Sequence, residues 1–403
     1  MSHKKELIKN LFSFGSVDLL GLLIPIITMP ILTRALGPNQ YGIYMLYLTI
    51  LYFGHTIIDY GTQYTSVRIL ARNRNNPKEI NRIYKDTQGL RLFLSILYSS
   101  CAIAYCFFLI PNNITNHITI AIFIYLLGYA LTPLWFYQGI GAVDHAMKIS
   151  LIIKIINLAV ILLAVRVPED IVIVIASFCI PMLIGGIYLS YFAYKRYSAG
   201  LPKFNQIKNS LSEGKDVFLG LLAPNFYNAI PMIVLGAIYP AAEFANFAIA
   251  TRLASVIVTI QNIVAKAVYP IIAILKNSQV KKLLIINFAV SIIPTILIYF
   301  IGESAINFFL GKDFSEANQY LIILCIGIVF IGLSNAISQG YLLPNGYDRI
   351  YRNISLRVSM ISGIIVFIMI YQYGILGSAI AITLARFIFF FDFTITYIRL
   401  KTE

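Results

Sequence analysis

The chain has 403 residues, of which 59% are hydrophobic and only 12% are charged, and its mean hydropathy is +0.80. Because soluble domains carry about 25% charged residues, this composition excludes a soluble globular protein and indicates a polytopic membrane protein. The net charge is +14, but no polar stretch is long enough for a separate soluble or nucleic-acid-binding domain. The cysteines and histidines show no metal-ligand spacing, so neither a metal nor an organic cofactor is predicted.

Twelve apolar segments long enough to cross a bilayer follow one another along the chain. They cover residues 13–33, 41–63, 89–110, 118–139, 148–166, 170–194, 216–239, 242–272, 283–303, 319–342, 352–372 and 374–398. The sequence therefore predicts an all-α integral membrane protein with twelve transmembrane helices.

Lysine and arginine residues concentrate on alternate connections between these segments. One set of connections, together with the two chain ends, carries 23 of the 31 Lys and Arg residues, including Arg91. The other set carries only Arg34, Arg166 and Lys312. Because cytoplasmic loops are enriched in Lys and Arg, both termini are predicted to be cytoplasmic. Arg34 ends the first span on the opposite side, where we interpret it as an interfacial anchor or gate residue.

The two halves of the chain share a motif at corresponding places. Residues 38–44, PNQYGIY, lie between the first and second spans, and residues 240–247, PAAEFANF, lie between the seventh and eighth. A second match at a similar offset indicates a duplication of six spans, as in several transporter folds. The predicted organisation is an N-terminal six-helix lobe at 1–196, a cytoplasmic linker at 197–215 and a C-terminal six-helix lobe at 216–403.

The eighth span carries a polar stripe on one helix face. Its members are Arg252, Ser255, Thr259, Asn262 and Lys266. At 100° per residue they lie within an arc of roughly 80°, and at 1.5 Å rise they extend over about 21 Å. Since a charge at the bilayer centre costs from about 3 to more than 10 kcal/mol, this face is predicted to line a wet or anionic path. A bundle-interior helix whose cations pair with neighbours remains an alternative.

Further charged residues lie inside predicted spans. The second span has its own polar stripe, formed by Tyr44, Tyr52, His55, Asp59 and Thr62. His55 and Asp59 are i,i+4 neighbours, and Asp18 lies in the first span. Because intramembrane carboxylates often relay ions, Asp18, Asp59 and His55 are candidates for coupling to H⁺ or Na⁺, with a static ion pair as the alternative. Three more cations lie in later spans, namely Lys154, Arg357 and Arg386.

Several stretches resemble one family of membrane proteins. Residues 33–44, TRALGPNQYGIY, closely resemble the signature after the first span of the polysaccharide biosynthesis flippases, which belong to the MOP (multidrug/oligosaccharidyl-lipid/polysaccharide) superfamily. Residues 59–61, DYG, and residues 133–139, PLWFYQG, are similar to its second and fourth spans. Residues 244–252 with Tyr269-Pro270 are similar to its eighth span, where the family often has lysine instead of Arg252. The resemblance extends over nearly the whole chain.

The resemblance implies two six-helix lobes around a central cationic cavity in the bacterial inner membrane. It also implies a substrate, an undecaprenyl-pyrophosphate-linked O-antigen or polysaccharide repeat unit, moved from the cytoplasmic to the periplasmic leaflet by alternating access. Guanidinium groups bind phosphate bidentately, so the intramembrane cations are candidates for substrate binding. The candidates are Arg252, Lys266, Arg386, Arg357, Lys154 and Asn262. The expected assembly is a monomer surrounded by membrane lipid, with a polysaccharide polymerase and a chain-length regulator as partners.

Two other functions remain open. A drug or metabolite antiporter of the same superfamily would share the fold, but cationic drugs favour an acidic cavity, whereas five cations lie inside the predicted spans. A membrane-embedded glycosyltransferase or polymerase would need a sizeable outer loop for its catalytic residues, and the predicted outer loops are short. We therefore expect a transporter rather than an enzyme.

Overall fold

The chain is described here by a computed structural model. It describes the backbone of residues 3–109, 116–197, 199–275, 280–343, 345 and 347–402, and the side chains of these residues except 3–20, 22, 116–118, 262–275 and 348. In these ranges the regular structure is helical. The α-helices are α1 (His3–Asp59), α2 (Thr65–Arg72), α3 (Pro77–Leu109), α4 (Asn116–Leu131), α5 (Leu134–Ile140), α6 (Val143–Ala164), α7 (Ile171–Tyr197), α8 (Ile207–Leu222), α9 (Ala229–Ile238), α10 (Ala241–Leu275), α11 (Val280–Phe309), α12 (Ala317–Ile337) and α13 (Asp348–Thr402).

The two longest helices each contain a break at one glycine. Gly37 in α1 has φ 67° and ψ 174°, and Gly374 in α13 has φ 62° and ψ −140°. Side chains other than glycine rarely adopt such positive φ values, so glycine permits a sharp reversal without a loop. Each helix therefore contains two of the predicted spans, one on either side of its glycine.

The predicted number of spans is confirmed once these breaks are taken into account. Within the described part of the chain, nine helices are long and apolar enough to cross a membrane, or ten if α8 and α9, which meet at 45°, form one bent span. Dividing α1 at Gly37 and α13 at Gly374 raises ten to twelve. The chain is a multi-pass, all-α membrane protein.

The chain divides into two compact units, residues 1–222 and residues 223–403. The boundary therefore falls after α8, whereas the sequence placed the start of the second lobe at residue 216. The boundary falls there because α8 packs against the first unit. Gly214 of α8 approaches the Tyr60 ring so closely that a Cβ at this position would lie 2.8 Å from the ring. Tyr60 also stacks on Phe218 with ring centroids 4.2 Å apart, which fixes α8 to the first unit.

The shared motif of the two halves forms equivalent structure in each unit. Gly37 precedes Pro38 at the break in α1, and Tyr239, with an extended backbone at φ −98° and ψ 153°, precedes Pro240 at the start of α10. The aromatic residues that follow are buried, with Tyr41 2% exposed and Phe244 1% exposed. The motif therefore starts a helix and anchors its first turn in the core of its own unit.

The fourth-span motif forms an aromatic core at one end of the first unit. Trp135, Phe136 and Tyr137 are at most 1% exposed and pack with Leu70 and Tyr84. A buried aromatic side chain removes 150–250 Å² of mostly apolar surface, so three in sequence dominate the packing of α5 against α2 and α3. The resemblance at this motif thus reflects packing in the first unit.

Candidate functional site

One face of α10 is polar and turned away from the core of the second unit. Ser255 is exposed, and Arg252 and Thr259 are half-buried. The Ser255 hydroxyl donates to the Arg252 carbonyl at 2.7 Å, and the Thr259 hydroxyl donates to the Ser255 carbonyl at 2.8 Å. These bonds satisfy the hydroxyl donors while leaving oxygen lone pairs available along the face. The side chains of the other two predicted members, Asn262 and Lys266, lie outside the described residues.

The opposite face of α10 is buried and holds the helix in its unit. Ala250 and Ala254 are at most 1% exposed, and Gln261 is fully buried. The Gln261 side-chain amide donates to the Ser291 hydroxyl at 2.6 Å and to the Ile328 carbonyl at 3.1 Å, which connects α10 to α11 and α12. Arg252, Ser255 and Thr259 thus lie on the less buried side of the helix, and the path along this face stays a prediction.

Arg386 is engaged within the second unit. Its guanidinium donates to the Leu324 carbonyl at 3.2 Å, and its Cδ lies 3.0 Å from where a Cβ on Gly327 would be. The Arg386 side chain therefore crosses α12 at a glycine. These contacts within the second unit account for its position, so no substrate is needed to explain it.

Arg357 forms a two-pronged ion pair with Asp392. Arg357 Nη2 lies 2.7 Å from Asp392 Oδ1, and Nε lies 3.2 Å from Oδ2. The Arg357 side chain is 61% exposed and the Asp392 side chain 18% exposed. The pair joins the two halves of α13, so Arg357 already has an anionic partner in its own unit.

The remaining predicted candidates lie in the first unit. The Lys154 ammonium on α6 lies 2.9 Å from where a Cβ on Gly21 would be, so it packs against the first part of α1. Arg34 is exposed near the break at Gly37, which fits an interfacial position. The Asp18 side chain lies outside the described residues.

Asp59 lies at the centre of a hydrogen-bonded cluster in the first unit. It forms a close ion pair with Arg91 of α3, and the Arg91 side chain is only 3% exposed. Asp59 Oδ2 also accepts from the Tyr129 hydroxyl at 2.7 Å and from the Gln63 side-chain amide at 2.9 Å. Arg91 in turn donates to the Tyr129 carbonyl at 3.2 Å. The carboxylate and the guanidinium are therefore matched inside one bundle.

His55 stacks on the same tyrosine. Its ring centroid lies 3.7 Å from that of Tyr129, at an interplanar angle of 10°, and it also stacks on Tyr125 at 5.6 Å. Its Nε2 atom is buried and has no hydrogen-bond partner in the described part of the chain. The predicted Asp59 and His55 are thus brought together through Tyr129, which the sequence analysis did not select.

The assignment of Arg91 to a cytoplasmic connection was wrong. Arg91 lies in α3 and is 2% exposed, because Asp59 and Tyr129 provide its partners. The members of the polar stripe on α1 differ in exposure. Tyr44 is 4% exposed and Tyr52 is 40% exposed. Arg91 and Asp392 both lie inside predicted spans, so the criterion that selected Asp18 and Asp59 would also have found them.

Comparison with solved structures defines the fold. The chain superimposes on a structure described as lipid II flippase MurJ in an inward closed conformation, with a TM-score of 0.75, 14% identity, and coverage of 95% of this chain and 87% of that one. It also superimposes on an inward-facing multidrug resistance MATE family transporter of the MOP superfamily, with a TM-score of 0.71, 13% identity, and coverage of 94% and 96%. The protein has the twelve-helix MOP fold.

Sequence comparison defines the family. A family model described as "Polysaccharide biosynthesis protein" matches residues 7–276, and the chain belongs to this family. A relative from Shigella dysenteriae, named "Putative O-antigen transporter", is 26% identical over 381 residues, which are 93% of this chain and 96% of the relative. The resemblance stated from the sequence is therefore confirmed.

Proposed function

We propose that this protein is a flippase for lipid-linked saccharides, which moves undecaprenyl-pyrophosphate-linked O-antigen or polysaccharide repeat units from the cytoplasmic to the periplasmic leaflet by alternating access. The observation that carries the proposal is the polar face of α10, where Arg252, Ser255 and Thr259 lie on the side turned away from the core of their own unit. The relative from Shigella dysenteriae supports the saccharide class.

The charge of the substrate explains the preference for Arg252. A pyrophosphate is anionic, and a guanidinium offers it two parallel hydrogen bonds. Arg252 is the principal candidate among the described cations of the second unit because it lies on the polar face of α10 with Ser255 and Thr259. A multidrug antiporter would share the fold, but cationic drugs would be repelled by Arg252.

The proposal includes the location and the assembly. The protein lies in the bacterial inner membrane as a monomer with both termini cytoplasmic, since correcting the position of Arg91 removes only one cation from the enriched side. It acts without a catalytic step and delivers its product to a polysaccharide polymerase and a chain-length regulator. Labelling tests the topology, because a cysteine placed at Asn76 should resist an impermeant reagent in intact cells.

We also propose that transport is coupled to H⁺ or Na⁺ through Asp59. The Asp59 carboxylate has Arg91, Tyr129 and Gln63 as partners, and His55 stacks beside them, so protonation or cation binding would rearrange several groups at once. Asp59→Asn should reduce the dependence of transport on the ion gradient, measured at equal protein levels. Unchanged dependence would exclude Asp59 as a coupling residue.

The test of function is genetic and chemical. Cells that lack the protein should accumulate lipid-linked repeat units on the cytoplasmic leaflet, and the wild-type gene should restore export. Arg252→Ala should abolish surface polysaccharide at wild-type protein levels, whereas Arg252→Lys, which keeps the charge without the bidentate fork, should retain part of it. Val256→Ala on the same helix is the matched control and should export normally. Normal export by Arg252→Ala would refute the role of Arg252.

A further inference from the structure

Two adjoining cavities lie at one end of the first unit. The first is a polar cavity of about 170 Å³ between the end of α1, α2, the start of α3 and α8. Its lining is rich in hydroxyl, amide and carboxylate groups, including Thr62, Ser66, Asp86, Asn209, Ser210 and Glu213. A single water needs only about 10–15 Å³ of such space, so this cavity has room for a ligand of many atoms.

The second cavity is basic and shares two residues with the first. It measures about 260 Å³ and is lined by Lys78, Asn81, Arg82, Lys85, Asp86 and Lys203. Arg82 and Asp86 line both cavities. Arg82 is paired with Glu79 at 2.7 Å, and the three lysines against Asp86 leave this cavity with a positive charge. Its neighbour offers mainly hydroxyl, amide and carboxylate groups.

The wall between α3 and the segment before α8 is held in place by backbone contacts. The Lys203 N–H donates to the Lys85 carbonyl at 3.0 Å, and the Lys203 carbonyl lies against Gly89, where any Cβ would collide with it. A glycine at position 89 therefore allows the segment to rest directly on α3. These contacts fix the backbone of Lys85 and Lys203, which are two of the three lysines that line the basic cavity.

The polar cavity contains a buried hydroxyl that has no partner in the described part of the chain. Thr62 is 3% exposed and its hydroxyl is unsatisfied. Nearby Ser66 and Thr87 bond to each other at 3.1 Å. Leaving a buried polar group unpaired costs about 1–3 kcal/mol, which a ligand with hydroxyl groups would recover.

We propose that the two cavities together bind a glycosyl phosphate, with the sugar in the polar cavity and the phosphate in the basic one. Sugar hydroxyls both donate and accept, so they match carboxylate, amide and hydroxyl groups, whereas a phosphate matches lysine and arginine. The ligand is either a free sugar phosphate or the headgroup of a lipid-linked saccharide. Only the lipid-linked source rests on the proposed function, and neither source depends on Arg252.

Binding to the full-length protein in lipid nanodiscs tests this site. The probes are inorganic phosphate and the 1-phosphates of glucose, galactose and N-acetylglucosamine, titrated by calorimetry. At least one sugar phosphate should bind about tenfold more tightly than inorganic phosphate. Thr62→Val should weaken the binding of that sugar phosphate about fivefold, because it removes one hydrogen bond to the sugar. It should leave the binding of inorganic phosphate unchanged. Lys203→Gln should weaken the binding of the sugar phosphate and of inorganic phosphate.

Matched variants show whether a loss of binding comes from the two cavities or from a general effect of substitution on the protein. Thr49→Val and Lys208→Gln lie outside both cavities and should bind both probes as the wild type does. Glu213→Gln, an exposed position, provides a second test of the polar cavity in case Thr62→Val fails to fold. The proposal is overturned if no sugar phosphate binds more tightly than inorganic phosphate, or if Glu213→Gln and Lys203→Gln both bind like the wild type.

A competition experiment then identifies the source of the ligand. Nanodiscs that contain an undecaprenyl-pyrophosphoryl sugar should lose binding of the free sugar phosphate if the lipid headgroup occupies the cavities. Undiminished binding assigns the cavities to a free sugar phosphate. Export measured in Arg252→Ala cells is independent of both results, so the proposed function and this site can fail separately.

Discussion

The first and second units each contain an arginine inside a span, and the two arginines have opposite surroundings. Arg91 is 2% exposed and is matched by Asp59 and Tyr129 inside its own bundle. Arg252 is half-buried on the face of α10 that is turned away from the core of its unit. The comparison separates a charged residue whose counter-charge is buried with it inside one bundle from one that lies on a partly exposed helix face.

Removing Arg91 should have the largest effect on folding. Arg91→Ala leaves the partly buried Asp59 without its counter-charge, which should destabilise the first unit by about 3–5 kcal/mol. Trp135 is the single tryptophan and lies buried in that unit, so its fluorescence during denaturant unfolding reports the change.

The ion pair of Arg82 with Glu79 provides the control for that experiment. The Arg82 side chain is 63% exposed, so Arg82→Ala should lower the free energy of unfolding by less than about 1 kcal/mol. The double variant Asp59→Asn with Arg91→Met should recover most of the stability, since both charges are then removed. Equal losses for Arg91→Ala and Arg82→Ala would show that burial does not distinguish these pairs.

The two faces of α10 should respond differently to substitution. Gln261→Ala removes a fully buried side chain and its bonds to Ser291 and the Ile328 carbonyl, which should cost about 2–3 kcal/mol. Thr259→Val on the polar face should cost less than about 0.5 kcal/mol. Cys325 is fully buried in the same unit. The rate of thiol labelling, in a background that retains only this cysteine, therefore measures the stability loss of both variants. A larger loss for Thr259→Val would reverse the assignment of the faces.

The smallest effect is expected at the exposed ion pair of α13. Asp392→Asn should lower the stability of the second unit by less than about 1 kcal/mol, because the Arg357 side chain is 61% exposed. Export should also be retained if Arg357 has only this structural role. The same Cys325 labelling measures the stability, and a loss above about 2 kcal/mol would indicate a buried, structurally essential pair.

Features that depend on neighbouring residues in the sequence were predicted well. The twelve spans follow from hydropathy, and the stripe of Arg252, Ser255 and Thr259 follows from the helical period. The shared proline motifs, from which a duplication was inferred, lie at helix starts in both halves, at Pro38 and Pro240. All these patterns lie within a few turns of one helix, where sequence spacing determines position.

Features that depend on distant contacts could not be predicted in the same way. Asp59 and Arg91 lie 32 residues apart, and Arg357 and Asp392 lie 35 apart, so each pair exists only after helices pack. The sequence shows that such charges are costly in a membrane but not which partner each one finds. The cavity that contains Thr62 likewise requires α1, α3 and α8 to meet.

The packing of α1 on α6 has a consequence for biosynthesis. Gly21 lies against Lys154, which is made about 130 residues later, and at roughly 5–20 residues per second the ribosome needs about 7–27 s to reach it. During this interval the first helix has left the ribosome but lacks its neighbour on α6. This contact of the first unit therefore forms late, after the fifth span (α6) is complete.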